Sequence, residues 1–114
     1  MSTISTHILD TSRGRPAAGV SVSLDVLDAG EGWSPLAQAN TDEDGRVRAF
    51  TLTEPQLPAG TYRLTFVTSS YFGRLSEKTF FPEVTVVFRL DGGSEHYHVP
   101  LLLSPFGYST YRGS

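Results

Sequence analysis

Four side chains in this sequence could do chemistry near neutral pH without a bound group: the imidazoles of His7, His96 and His98 and the guanidinium of Arg46. Imidazole has an unperturbed pKa of about 6.5, so any of the three rings could serve as a general base. His96 and His98 are one residue apart. Successive side chains on a strand point to opposite faces, so a strand over residues 95–103 would put His96, His98, Pro100 and Leu102 on one face and Tyr97, Val99, Leu101 and Leu103 on the other. A His-x-His pair can also place two nitrogens on a zinc ion. No third ligand accompanies it at a local spacing, and neither a metal nor a cofactor is expected. The plainer alternative is that His96 and His98 decorate a strand face and that His7 belongs to a mobile chain end. Arg46 directly follows Asp44 and Gly45. Its ordinary role would be a solvated charge leaving a hairpin turn, and its functional one a planar donor for an anionic or carbonyl-rich ligand.

The last four residues, Tyr111, Arg112, Gly113 and Ser114, put an aromatic ring, a guanidinium, a hydroxyl and the α-carboxylate close together, a density of polar groups unusual for a tail. Other chemistries are missing. There is no Gly-x-Ser-x-Gly elbow for a serine nucleophile, no distinctive pairing of carboxylates, and no glycine loop to cradle phosphate ahead of a helix. The absence of cysteine removes disulfides and thiolate chemistry. The net charge is −3 and the nine basic residues are scattered, which leaves no footprint for nucleic acid. No leader pattern and no apolar run of membrane-spanning length is visible. A single domain over residues 1–114 in the cytoplasm is the expectation.

The elements that must position these groups are short strands. Residues 3–9 are β-prone and stop at the turn chemistry of residues 10–16. Residues 20–26 alternate strictly, with Val20, Val22, Leu24 and Val26 facing in and Ser21, Ser23 and Asp25 facing out. Residues 33–39 predict a return strand at a sheet edge, because Pro35 cannot donate to a central ladder. Short strands follow at 46–50 and 62–67, with Tyr62, Leu64 and Phe66 on one face and a Pro and Gly connection at 55–60 between them. The stretch 71–81 breaks the pattern, since the run after Phe72 has good helix formers, and predicts one or two helical turns ended by Pro82. Strands resume at 84–90, turn at Asp91, Gly92 and Gly93, and continue at 95–103 and 108–111. About eight strands spaced roughly ten residues apart indicate an all-β sandwich or barrel.

Five blocks of residues carry a resemblance. They are His7-Ile8-Leu9-Asp10, Gly14-Arg15-Pro16-Ala17, Thr41-Asp42-Glu43-Asp44-Gly45-Arg46, His96-Tyr97-His98-Val99-Pro100-Leu101-Leu102-Leu103-Ser104, and the closing Tyr108-Ser109-Thr110-Tyr111-Arg112-Gly113-Ser114. In order and spacing, over the whole chain, the sequence resembles the transthyretin-related 5-hydroxyisourate hydrolases. The terminal Tyr-Arg-Gly-Ser is the most specific block, because it separates these hydrolases from transthyretin proper, the hormone carrier built on the same fold.

The resemblance implies a transthyretin-like β-sandwich of two four-stranded sheets with a short helix after the fifth strand. It also implies a homotetramer with substrate sites in a channel between dimers. The first, fourth, seventh and eighth strands would share a sheet and bring His7, Arg46, His98 and the terminal Tyr111, Arg112, Gly113 and Ser114 to one surface. His96 would support His98 or face the channel without acting. The implied reaction is hydrolysis of the six-membered ring of 5-hydroxyisourate to 2-oxo-4-hydroxy-4-carboxy-5-ureidoimidazoline in urate breakdown. His98 or His7 would be the base for water, Arg46 would hold the ring oxygens, and no cofactor would take part. The alternative is a carrier of small aromatic ligands that uses the same channel without chemistry.

Overall fold

Alternating apolar residues close two sheets around a shared core. The computed structural model describes residues 3–52, 57–92 and 95–114. In chain order the elements are β1 (Thr3–Asp10), β2 (Arg15–Pro16), β3 (Ser21–Leu27), β4 (Trp33–Asn40), β5 (Arg46–Val47), β6 (Gly60–Val67), α1 (Thr68–Arg74), β7 (Val84–Leu90), β8 (His96–Ser104) and β9 (Gly107–Thr110). One sheet runs β4-β3-β6-β7, antiparallel throughout. The other runs β2-β1-β8-β9, with β5 also pairing β1. The inward positions are filled by Ile4 and Ile8 of β1, Val22 and Leu24 of β3, Tyr62, Leu64 and Phe66 of β6, and Leu101 and Leu103 of β8. Burying each large aliphatic or phenyl side chain contributes about 1.5–3 kcal/mol, enough to fix which face of every strand turns inward.

The pairing of β1 with β8 does most to place the polar side chains. It is parallel and runs without a break from Thr3 opposite His96 to Asp10 opposite Leu103. Parallel neighbours need a long crossover, and here nearly the whole chain lies between the two strands. The pattern of β8 is as the sequence predicts, with Tyr97, Val99, Leu101 and Leu103 in the core and His96 and His98 on the opposite face. Pro35 lies in β4, an edge strand, also as predicted.

Several local expectations need correction. The helix is Thr68–Arg74 rather than residues 71–81, because burial of Tyr71 and Phe72 outweighs the helix propensity of the residues after them. It starts as soon as β6 ends. Thr68 Oγ1 donates to the Phe81 carbonyl at 2.9 Å, and past Arg74 the N–H groups of Leu75, Ser76 and Glu77 fold back onto the carbonyls of Phe72 and Gly73. Asp25 faces out with Ser23, as predicted, but is covered there by Arg63, its cross-strand partner on β6, which pairs with it at 2.8 Å. Strand β5 holds only Arg46 and Val47, not residues 46–50, and Arg15 and Pro16 form a short strand against Leu9 and Asp10 instead of a plain turn. Pro55 in the predicted 55–60 connection and Gly93 in the predicted turn lie outside the described residues. Among the described residues no helix is long and apolar enough to cross a membrane.

Candidate active site

Arg46 is placed by a turn that is pinned to β1. Asp42 Oδ1 accepts from the N–H groups of Asp44 at 2.9 Å and Arg46 at 3.0 Å, and the Gly45 carbonyl accepts from Ile8 N–H at 2.8 Å. Gly45 has φ +74, and a Cβ there would lie 2.5 Å from the Ile8 carbonyl oxygen. Only glycine lets the turn sit this close to the strand. The result is that Arg46 pairs directly with His7 across the β1–β5 ladder. Two arginines then line the same wall in unlike electrical states. Arg48 is ion-paired with Asp44 at 3.1 Å and Asp42 at 3.7 Å, whereas Arg46 has no ion pair among the described residues.

The β1–β8 register brings the histidines to this wall. Ser5 lies opposite His98, and His7 opposite Pro100, so Ser5, His7, His98 and Arg46 share one face of the sheet. Ser5 Oγ is 2.7 Å from His98 Nδ1 and 3.1 Å from His96 Nε2, and His96 Nδ1 contacts Thr3 Oγ1. The chain end closes over the other side of His98. Gly113 N–H donates to the His98 carbonyl at 2.8 Å, and a Cβ on Gly113 would lie 2.5 Å from His98 Cδ2. With Nδ1 on Ser5 and Cδ2 under Gly113, the ring is clamped on both edges. Its Nε2 has no protein hydrogen bond among the described residues.

Ser5, Arg46, Arg48, His96, His98 and Ser114 line a cavity of about 240 Å³. Burial pushes the His98 pKa below 6.5, and Arg46, His96 and His7 push it the same way. A main-chain hydrogen bond at Ser5 opposes them and loses. The shift favours the neutral ring, the form a base needs. Such a pocket can deprotonate a water and stabilise negative charge developing on an oxygen. Among the described residues no group of three His, Cys, Asp or Glu side chains is arranged to hold a metal ion.

A profile of the HIUase/Transthyretin family matches residues 4–113. The chain belongs to the HIUase/Transthyretin family. It is 49% identical over 111 residues to the 5-hydroxyisourate hydrolase of Salmonella dublin, covering 97% of this chain and 80% of that protein. The solved 5-hydroxyisourate hydrolase of Klebsiella pneumoniae is 44% identical, with a TM-score of 0.83 over 98% of this chain and 99% of that one. Sea bream transthyretin in complex with thyroxine is 37% identical, with a TM-score of 0.88 over 96% and 93% of the two chains. Backbone shape thus fits both branches of the family.

The terminal tetrapeptide of this HIUase/Transthyretin member divides between two places. Gly113 packs on His98 and Ser114 reaches the cavity. Tyr111 and Arg112 instead line a neighbouring groove of about 330 Å³ between β7 and β8, which shares His98 with the first. Arg112 lies over the Tyr97 ring and pairs with Glu95 at 3.5 Å. His7 is half-buried beside the cavity rather than part of its lining. Two lining residues, Ser5 and Arg48, have no signal in the sequence. Only the parallel register, which spacing does not disclose, would single out Ser5.

Proposed function

We propose that this protein hydrolyses 5-hydroxyisourate, opening its six-membered ring to 2-oxo-4-hydroxy-4-carboxy-5-ureidoimidazoline in urate degradation. The observation that carries the proposal is the clamped His98 ring, its pKa pushed down by burial, facing the same small cavity as Arg46, with His98 Nε2 and the Arg46 guanidinium both unpaired among the described residues. His98 Nε2 takes a proton as water attacks a ring carbonyl, an assistance typically worth about 10²- to 10⁴-fold. Arg46 stabilises the negative charge that develops on the carbonyl oxygen. The tetrahedral adduct then collapses, the ring C–N bond breaks, and the leaving nitrogen receives a proton from the imidazole. His7 orients the substrate from beside the pocket, and Ser114 with Tyr111 and Arg112 completes its polar rim.

The working form is a homotetramer with the sites between dimers. Edge strands β7 and β9 support this, since both lie at sheet edges and Val87, Tyr108 and the adjoining Phe106 are exposed there. Proteins usually cover exposed edges that carry such apolar area. Light scattering should give four chains per particle, and an active monodisperse monomer would remove the shared channel.

The carrier alternative draws on the TM-score of 0.88 to a thyroxine-bound transthyretin. A passive carrier has no use for an imidazole base beside a guanidinium that is unpaired among the described residues. Following freshly generated 5-hydroxyisourate in the ultraviolet, with the spontaneous decay subtracted, separates the two. Acceleration by the protein and a single-handed product are expected, and decay at the buffer rate would leave the carrier.

A further inference from the structure

Ser5 bridges two imidazoles that do not touch each other. The His96 and His98 rings are nearly parallel, at 16°, with centroids 6.5 Å apart. The Ser5 hydroxyl spans the gap, 2.7 Å from His98 Nδ1 and 3.1 Å from His96 Nε2. Beyond His96 lies Thr3 Oγ1, which contacts His96 Nδ1. This line of alternating hydroxyl and imidazole results from the β1–β8 register, which sets Thr3 opposite His96 and Ser5 opposite His98.

A hydroxyl has one proton to give and lone pairs to accept with, so between two imidazole nitrogens it serves both best by donating to one and accepting from the other. If Ser5 donates to His96, His98 must carry its proton on Nδ1, which leaves a lone pair on Nε2. His96 then holds its own proton on Nδ1, toward Thr3. The opposite polarity would put the His98 proton on Nε2 and disarm it as a base. The geometry favours the first arrangement, because a proton on Nδ1 is donated to Ser5 Oγ at 2.7 Å whereas one on Nε2 would have no protein acceptor among the described residues.

We infer that Ser5 is a positioning residue that fixes the His98 tautomer and passes its proton to His96, so that the exposed ring, not the half-buried one, holds the positive charge during hydrolysis. This role presupposes the hydrolase activity proposed above. Every proton has a destination. As a water O–H bond breaks, its proton bonds to His98 Nε2. The His98 Nδ1–H proton moves to Ser5 Oγ, and the Ser5 proton moves to His96 Nε2. His98 is left neutral with a proton on Nε2 for the leaving nitrogen, and the relay runs backward as that proton is given up. The surroundings explain the direction. His98 is half-buried and faces Arg46 from β5 and His7 from β1, with Ser114 of the chain end on the cavity wall, whereas His96 is exposed. Arg48 stands on the same wall with its charge matched by Asp42 and Asp44. A cation is better solvated on the outer ring.

The test joins spectroscopy to kinetics on the full-length protein. Long-range proton–nitrogen NMR of protein labelled with ¹⁵N-histidine, without substrate, should show the His98 proton on Nδ1. Ser5→Ala should give a tautomer mixture, lower kcat about tenfold at nearly unchanged KM, and Ser5→Thr should recover kcat to within about threefold of the parent. Ser5→Ala and His96→Gln together should cost little more than either alone, as expected of links in one relay. A His98 proton found on Nε2, or a Ser5→Ala enzyme with the parent kcat across pH 6–9, would overturn the inference. If the parent protein fails to accelerate decay, the hydrolase proposal falls instead, while the tautomer remains decided by the spectrum.

Discussion

Strand β1 carries two polar clusters that treat burial in opposite ways. At its end, Asp10 is fully buried, and its carboxylate accepts from Ser12 Oγ at 2.6 Å, Tyr71 Oη at 2.7 Å, and the N–H groups of Ser12 at 3.1 Å and Arg13 at 3.3 Å. Burial pushes the Asp10 pKa up, but these hydrogen bonds outweigh it and the net value falls below 3.8. Tyr71 is pushed up to about 12 by burial and by Asp10. On the strand's outer face, Ser5 and His7 join His98 and Arg46, where one ring nitrogen and one guanidinium are left without a protein partner among the described residues. A polar cluster with every valence filled holds elements together, here α1 against the sheet. One with valences open toward a cavity is ready for a ligand.

The sharpest way to break that contrast is to remove the open groups. His98→Asn or Arg46→Ala should lower kcat at least about a hundredfold while the thermal unfolding midpoint stays near the parent value, because each deletes one acid–base or charge-stabilising group. A parent-like rate in either variant would strike that residue from the mechanism. The closed cluster should respond in reverse. Tyr71→Phe removes a hydrogen bond to a buried carboxylate and should cost about 1.5–3 kcal/mol in urea unfolding with kcat unchanged. The sign of its pH dependence is set by Asp10, whose folded pKa is below the unfolded value. The stabilisation is present above about pH 3.8 and is lost as pH falls through the folded pKa.

Smaller effects sharpen the boundary between clamp and pocket. Gly113→Ala forces a methyl group to within 2.5 Å of His98 Cδ2, so the ring must turn, and kcat should fall about tenfold with little change in stability. Since the His98 pKa lies below its ordinary value, the acid limb of kcat should lie below pH 6.5. A limb centred above that value would mean that His98 is not the base.

The residues that read clearly in the sequence are those whose signal is local. Alternation in β3, β6 and β8 gives the core faces, Pro35 marks an edge, and the two histidines of β8 share a face because a strand has period two. His7, Arg46 and His98 stand together because the family resemblance supplies a sheet order that no spacing could. What is not legible depends on contacts between distant residues. Ser5 looks like any strand serine until the parallel register sets it against His98. The helix lies earlier than its propensity suggests because Tyr71 and Phe72 fill the core. Tyr111 and Arg112 turn toward the second groove, although their neighbours Gly113 and Ser114 reach the first.

The parallel ladder between β1 and β8 also constrains how the molecule is made. Thr3 and His96 are partners across 93 residues, so during synthesis from the N-terminus β1 waits with one edge bare until almost everything else has emerged. Contacts of such long sequence separation slow folding. The reactive pocket is therefore among the last features to form, and a ribosome-bound chain stalled before β8 would be inert and prone to mispairing along that waiting edge.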